Sequence, residues 1–235
     1  MIALFWDIDG TLLTTGKAGV PAWEMAVREI VERDFELASF RVAGLTDYQI
    51  AVRTFEMLNV DADESTIRRM VTRYEELLPT ELPKKHGYVM PNVREILERM
   101  QREPDVHLYL LTGNTPGGAR AKLTHYDLFK YFEGGAFAVD AGDRASIAAR
   151  ALALAQANSP VGDDRAFVIG DTPHDIECAN AIGARTIAVA TGGYSRDELA
   201  DYQPWRVFDV LPPVDEFARL IREPRQAGAS EPHRA

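Results

Sequence analysis

The chain has 235 residues, 46% of them hydrophobic, enough for one sizeable buried core or for a domain carrying a smaller insert. Its 26 basic against 36 acidic residues give a formal net charge of −10, which argues against a nucleic-acid backbone or an anionic membrane as partner, since neither offers counter-charge to an acidic surface. A small phosphorylated molecule stays open, because a metal ion and aligned backbone N–H groups can make one pocket positive within an acidic protein.

The single cysteine, Cys178, allows no intrachain disulfide, and no Cys/His cluster has the spacing of a zinc site. A reducing, cytoplasmic compartment is the expectation. The opening MIALFWDIDG has neither the basic start nor the long apolar run of a signal peptide, and no later run approaches a membrane span, so no leader and no membrane segment are expected.

Residues 2–8 form the first apolar run, predicted as a strand that ends in Asp7-Ile8-Asp9-Gly10-Thr11-Leu12. About ninety residues pass before the next comparable run, far more than an ordinary crossover needs, so a segment is inserted there. Gly16 to Gly19, with Lys17, is a candidate hinge at its start. Apolar residues near helical spacing, such as Ile50, Val52, Phe55 and Leu58, predict helices over 21–33, 47–58 and 64–78, and hence a small helical cap over residues 14–85. A polar break at 83–87 and a helix over 91–100, opened by Pro91, lead the chain back.

Further strands are expected at 106–111, 166–169 and 186–190, with a fifth at 206–210, joined by helices that include the Ala-rich AARALALAQA. The fold class is therefore α/β: a doubly wound parallel sheet from residues 1–13 and 86–222, with the helical cap inserted. Residues 223–235, rich in Pro, Gly, Ala and charge, read as a flexible tail.

In an open parallel sheet, ligands bind beyond the carboxyl ends of the strands. This sequence places Asp7 and Asp9 after the first strand, Thr112-Gly113-Asn114 after the second and Gly170-Asp171-Thr172-Pro173-His174-Asp175 after the third. Singly, each is an ordinary turn or helix start: Asp9-Gly10 a turn, Thr172 an N-cap, Asp175 a residue reaching back to it. Together they bring Asp7, Asp9 and Asp171 to one crevice, where repulsion calls for a cation, and oxygen-only ligands favour magnesium over zinc or copper. Asp175 suits a helix cap and a supporting place beside the metal equally, and the two are compatible. The hydroxyl and N–H groups of residues 112–115 precede a helix and can hold phosphate oxygens near its N-terminus. Thr46, in Gly44-Leu45-Thr46-Asp47, reads as a helix N-cap.

DIDGTL, LTGN and GDTPHDI, in this order and on these strand ends, resemble the haloacid dehalogenase superfamily of phosphohydrolases over nearly the whole chain. The insert resembles the cap of its phosphoglycolate-phosphatase-like branch. The resemblance implies Mg2+-dependent hydrolysis of a small phosphorylated metabolite, of phosphoglycolate or sugar-phosphate type, through an aspartyl-phosphate. It implies that Asp7 is nucleophile and metal ligand, and that Asp9 is general acid/base and a metal ligand through its backbone carbonyl. Thr112, Gly113 and Asn114 would position the phosphoryl group, and Asp171 and Asp175 would complete the metal site. A carboxylate can attack an anionic phosphoryl group only when a cation cancels their repulsion.

The pattern departs from the superfamily at one point. The Lys expected ahead of a later helix is missing, and Asp143-Arg144-Ala145-Ser146 stands there. Arg144 is the candidate replacement by its permanent charge and phosphate-matching fork, set against a solvated first-turn charge following an Asp143 cap. Lys122 is less suited, since it lies on the preceding helix. Gly44-Leu45-Thr46-Asp47 resembles the substrate loop of the branch, which makes Thr46 a candidate substrate contact as well as a cap. Rival readings are a phosphomutase of the β-phosphoglucomutase type, a dehalogenase, which needs neither Asp9 nor a metal, and a non-catalytic phosphometabolite-binding protein. His174, His107 and Cys178 are expected to be structural, and the assembly a monomer or homodimer.

Overall fold

The computed structural model describes residues 1–39, 42–162 and 164–224; the expected tail lies outside the described residues beyond Pro224. In chain order the elements are β1 (Ile2–Trp6), β2 (Leu13–Thr14), α1 (Gly19–Val31), α2 (Asp47–Met57), α3 (Glu64–Glu81), β3 (Tyr88–Val89), α4 (Val93–Met100) and β4 (Val106–Leu111). There follow α5 (Pro116–His125), β5 (Gly134–Ala136), α6 (Arg144–Asn158), β6 (Ala166–Gly170), α7 (Pro173–Ala181), β7 (Arg185–Val189), α8 (Arg196–Ala200), β8 (Arg206–Phe208) and α9 (Val214–Leu220).

Six of the strands form one parallel sheet in the order β5-β4-β1-β6-β7-β8. β1 is central, paired Ile2↔Val106 through Trp6↔Leu110 on one side and Ala3↔Ala166 through Trp6↔Ile169 on the other. Its residues are all buried, and they alternate between the two faces as strand geometry requires. Ala3 and Phe5 join the core shared with α6, α7 and the inserted helices; Ile2, Leu4 and Trp6 join the one under α4, α5 and α9. Helices on both faces of a parallel sheet make the doubly wound arrangement expected from the sequence.

α1, α2 and α3 all lie between β2 and β3, which pair antiparallel with Leu13 opposite Val89 and Thr14 opposite Tyr88. This two-residue ladder ties the two chain crossings at the base of the helical insert. Neither it nor β5 is marked by an apolar run: β5 is Gly-Gly-Ala, held by pairing with Tyr109 to Leu111. The helix expected from Pro91 begins at Val93, because Asn92 takes a left-handed φ of 65° and its amide bonds the Leu211 carbonyl. Among the described residues no helix is long and apolar enough to cross a membrane.

Candidate active site

β1, β4 and β6 are neighbours in the sheet, so the segments after them converge at one edge. Asp7, Asp171 and Asp175 are all buried there, each offering a carboxylate oxygen within 4.8 Å of the others. The backbone is shaped to admit them. Gly10 has φ +86°, and a Cβ on Gly10 or on Gly192 would collide with the Asp171 carboxylate. Thr11 Oγ1 donates to Asp171 Oδ1 at 3.1 Å. Burial, followed by the neighbouring Asp175 charge, pushes the Asp7 carboxyl up to about 7, and burial with the Asp7 charge raises Asp171 well above the usual range.

Asp175 caps α7, as one of its two readings had it, and its other oxygen lies in the acidic group. Its Oδ2 accepts from the Thr172 N–H (3.0 Å) and hydroxyl (2.7 Å) at the start of α7, while Oδ1 accepts from Arg144 at 2.8 Å. Arg144 is not the solvated first-turn charge that its place after the Asp143 cap also allowed. Its side chain is 11% exposed, 3.7 Å from Asp7 Oδ1, and its NH1 donates to the Gly44 carbonyl of the insert. Burial opposes its charge, but Asp175 and Asp7 outweigh burial and hold the guanidinium firmly protonated. Arg144 Nε is buried without a hydrogen-bond partner.

Asp9 turns away from this group. Its Oδ2 accepts from Asn114 Nδ2 at 2.8 Å and from Lys122 Nζ at 2.5 Å, and Lys122 also reaches Asn114 Oδ1 at 2.5 Å. Lys122, which the sequence argument ranked behind Arg144 as a replacement for the missing Lys, is 6% exposed and lines the same crevice, bound to Asp9 and Asn114 instead of Asp7. Burial works against its charge, but Asp9, Tyr74 and Asp47 together raise its affinity for a proton. A signal was present, since Ala119, Lys122 and Leu123 share the buried face of α5 at helical spacing.

The N-terminus of α5 does not await a phosphate as foreseen. Asp47 Oδ2 accepts from Thr115 N (2.8 Å), Glu75 Oε1 from Gly117 N (2.9 Å) and Thr115 Oγ1 from Gly118 N (3.3 Å). The first two of these oxygens come from the inserted helices. Burial pushes the Asp47 carboxyl up to about 6. Thr46 likewise has its bonds satisfied elsewhere: Oγ1 accepts from Gln49 N and Gln49 Oε1 from Thr46 N, a capping box on α2 that leaves Thr46 buried and off the cavity wall. Thr112 is also fully buried, bonded to Asp7 and to the Asn114 N–H, whereas Gly113 and Asn114 line the cavity. Gly113 sits so close to Leu45 O and Thr46 Cα that a Cβ would lie 3.1 and 3.2 Å from them.

These groups share a cavity of about 370 Å³ roofed by the insert. The donor set is hard oxygen only, with more buried carboxylate than the single neighbouring Arg144 can neutralise, which fits a divalent magnesium-type ion held by Asp7, Asp171 and Asp175. His174 pairs with Glu177, His107 with Glu133, and Cys178 is buried with its Sγ 3.4 Å from the Arg144 carbonyl.

Comparison with known proteins agrees with this geometry. A family model described as haloacid dehalogenase-like hydrolase matches residues 4–180, and one described as HAD-hydrolase-like matches residues 145–216. A curated relative from Dickeya dadantii (strain 3937), named probable phosphatase IndB, is 24% identical over 221 residues, covering 93% of this chain and 94% of that protein. CbbY from Rhodobacter sphaeroides, solved with phosphate, superposes with a TM-score of 0.72 at 17% identity over 89% of this chain and 95% of that one. A phosphoglycolate phosphatase, so predicted, from Haemophilus somnus 129PT gives 0.70 at 15% identity over 94% and 98%.

Proposed function

The chain belongs to the haloacid dehalogenase-like hydrolases, matched over more than half its length, and on that premise we propose that it is a magnesium-dependent phosphatase acting on a small phosphorylated metabolite through an aspartyl-phosphate. The observation that carries this reading is the separation of two carboxylates on one loop: Asp7 within the buried acidic group, Asp9 held apart on Lys122 and Asn114.

Asp7, Asp171 and Asp175 would hold the ion, which supplies the positive charge that lets a carboxylate approach an anionic phosphoryl group. Asp7 Oδ attacks phosphorus, the bond from phosphorus to the alcohol oxygen breaks, and that oxygen takes a proton from Asp9. Asp9 then takes a proton from water as the water oxygen attacks the aspartyl-phosphate, the bond to Asp7 breaks, and inorganic phosphate leaves. Gly113, Asn114 and the Arg144 side chain, which line the cavity, would face the phosphoryl oxygens, and the Thr112 hydroxyl bonds the Asp7 carboxylate. Residues 14–85 act as the cap that covers the ester and excludes water. A phosphatase named for phosphoglycolate and the curated probable phosphatase support the activity class. The absence of the usual Lys gave the non-catalytic alternative its weight; the Arg144 guanidinium, 3.7 Å from Asp7 Oδ1, supports the catalytic reading.

The test is release of inorganic phosphate from p-nitrophenyl phosphate with Mg2+. The wild type turns over, EDTA silences it, and Asp7→Asn abolishes it while circular dichroism stays unchanged. Turnover that persists in EDTA, or in Asp7→Asn, refutes the mechanism.

A further inference from the structure

We infer that the leaving-group half of the cavity is built for the monophosphate of a largely apolar alcohol, an alkyl or arylalkyl ester, in preference to a sugar phosphate or phosphoglycolate. The inference rests on the phosphatase reading and narrows its substrate.

The cavity divides by chemistry. Its floor is the acidic group with Asn114 and the glycines around it, while its roof among the described residues is Val20, Trp23, Leu37, Val42, Leu45 and Ile50. Trp23 offers only its hydrocarbon faces, because its Nε1 already donates to Thr54 Oγ1 at 3.2 Å and its ring meets Tyr74 edge-on at 4.9 Å. The polar side chains that also reach this half are mostly committed. Asp47 is bonded to Thr115, Lys122 to Asp9 and Asn114, and Arg144 to Asp175. What remains among the described residues is the buried Tyr74 hydroxyl, the Thr14 and Thr15 hydroxyls at the base of the insert and the exposed Lys17 ammonium near the hinge.

A sugar brings several hydroxyls, and each that leaves water for this roof without a partner loses its hydrogen bonds. Phosphoglycolate, phosphoryl group included, would leave much of the cavity of about 370 Å³ unfilled, and its carboxylate would find, among the described residues' cations not already bonded, the solvent-screened Lys17. An apolar body loses nothing polar on entry and covers the roof, while its one ester oxygen sits beside Asp9. One or two methylenes more or fewer in such a pocket change kcat/KM by roughly tenfold or more.

The experiment measures kcat/KM, with Mg2+, for 2-phenylethyl phosphate and 3-methylbutyl phosphate against glucose 6-phosphate, glycerol 3-phosphate and phosphoglycolate, with p-nitrophenyl phosphate as the control for chemistry. The apolar esters are expected to exceed every polar one by about tenfold or more. Leu45→Ser, at the half-buried lip, and Trp23→Leu should each shrink that ratio; Leu45→Ser keeps the test open should Trp23→Leu fail to fold. Turnover of the control with a polar ester equal to or better than the apolar ones, or an unchanged ratio in soluble Leu45→Ser, overturns this inference and leaves the phosphatase reading standing. No turnover of any ester overturns both.

Discussion

Lys122 Nζ stands 2.5 Å from Asp9 Oδ2, so the second turn of α5 holds the carboxylate proposed to exchange protons with the ester and with water. This places a cation outside the metal group but inside the chemistry. Lys122→Met is expected to lower kcat by roughly 10- to 100-fold, more for an alkyl phosphate than for p-nitrophenyl phosphate, whose leaving group needs no proton. Lys122→Arg should recover part of the loss, and Mg2+ affinity should be unchanged in both. Equal loss on the two esters would show that Lys122 serves only the fold.

Arg144 is the cation nearest the buried carboxylates, bonded to Asp175 and close to Asp7. Removing one member of such a buried pair leaves an uncompensated charge and costs about 3 kcal/mol. Arg144→Ala should therefore melt earlier than wild type in EDTA, with part of the gap closed by Mg2+, and should turn over far more slowly. Differential scanning calorimetry with and without the ion checks the first outcome, and an unchanged phosphate-release rate would remove Arg144 from the mechanism.

Burial raises Asp7 to about 7 and Asp47 to about 6, from 3.8 in an open chain. Between about pH 4 and 7 the folded, metal-free protein therefore keeps protons that the unfolded chain has released, and its stability falls as pH rises through that window. The ion must displace the Asp7 proton, so Mg2+ should bind more weakly at pH 5.5 than at pH 8. The stabilisation added by Mg2+ in thermal melts, read at the two pH values, tests the sign. A larger Mg2+ effect at pH 5.5 contradicts it.

Gly10→Ala tests the shape of the metal crevice. An alanine at φ +86° is strained, and its Cβ would strike the Asp171 carboxylate. Mg2+ affinity should fall about 10- to 100-fold, by isothermal titration, with KM for the ester less affected. Full affinity in the variant would show that Asp171 is not held where it is seen.

What the sequence made legible were the features that repeat or cluster. β1, β4, β6 and β7 are apolar runs, and Asp7, Asp171 and Arg144 stand at strand ends or helix starts that a doubly wound sheet must bring together. What stayed hidden depends on partners distant in the chain. β5 is two glycines and an alanine that become a strand only by lying beside β4. Lys122 reads as one more helical lysine until the 113-residue separation from Asp9 is closed. Thr46 and the start of α5 carried real capping signals, and capping is what they do; the error lay in expecting a ligand where Gln49, Asp47 and Glu75 already stand.

The strand order has an engineering consequence. The acidic group and Asn114 hang from the adjacent strands β4, β1 and β6, and Arg144 from the helix after β5, whereas the apolar roof comes from the excursion pinned at its base by four residues of ladder. The acidic group and the apolar roof thus belong to separate stretches of polypeptide meeting face to face. A redesigner wishing to admit a different alcohol can change the roof side chains Val20, Leu37 and Ile50 while keeping Gly44, Asp47 and Glu75, which hold Arg144 and the start of α5.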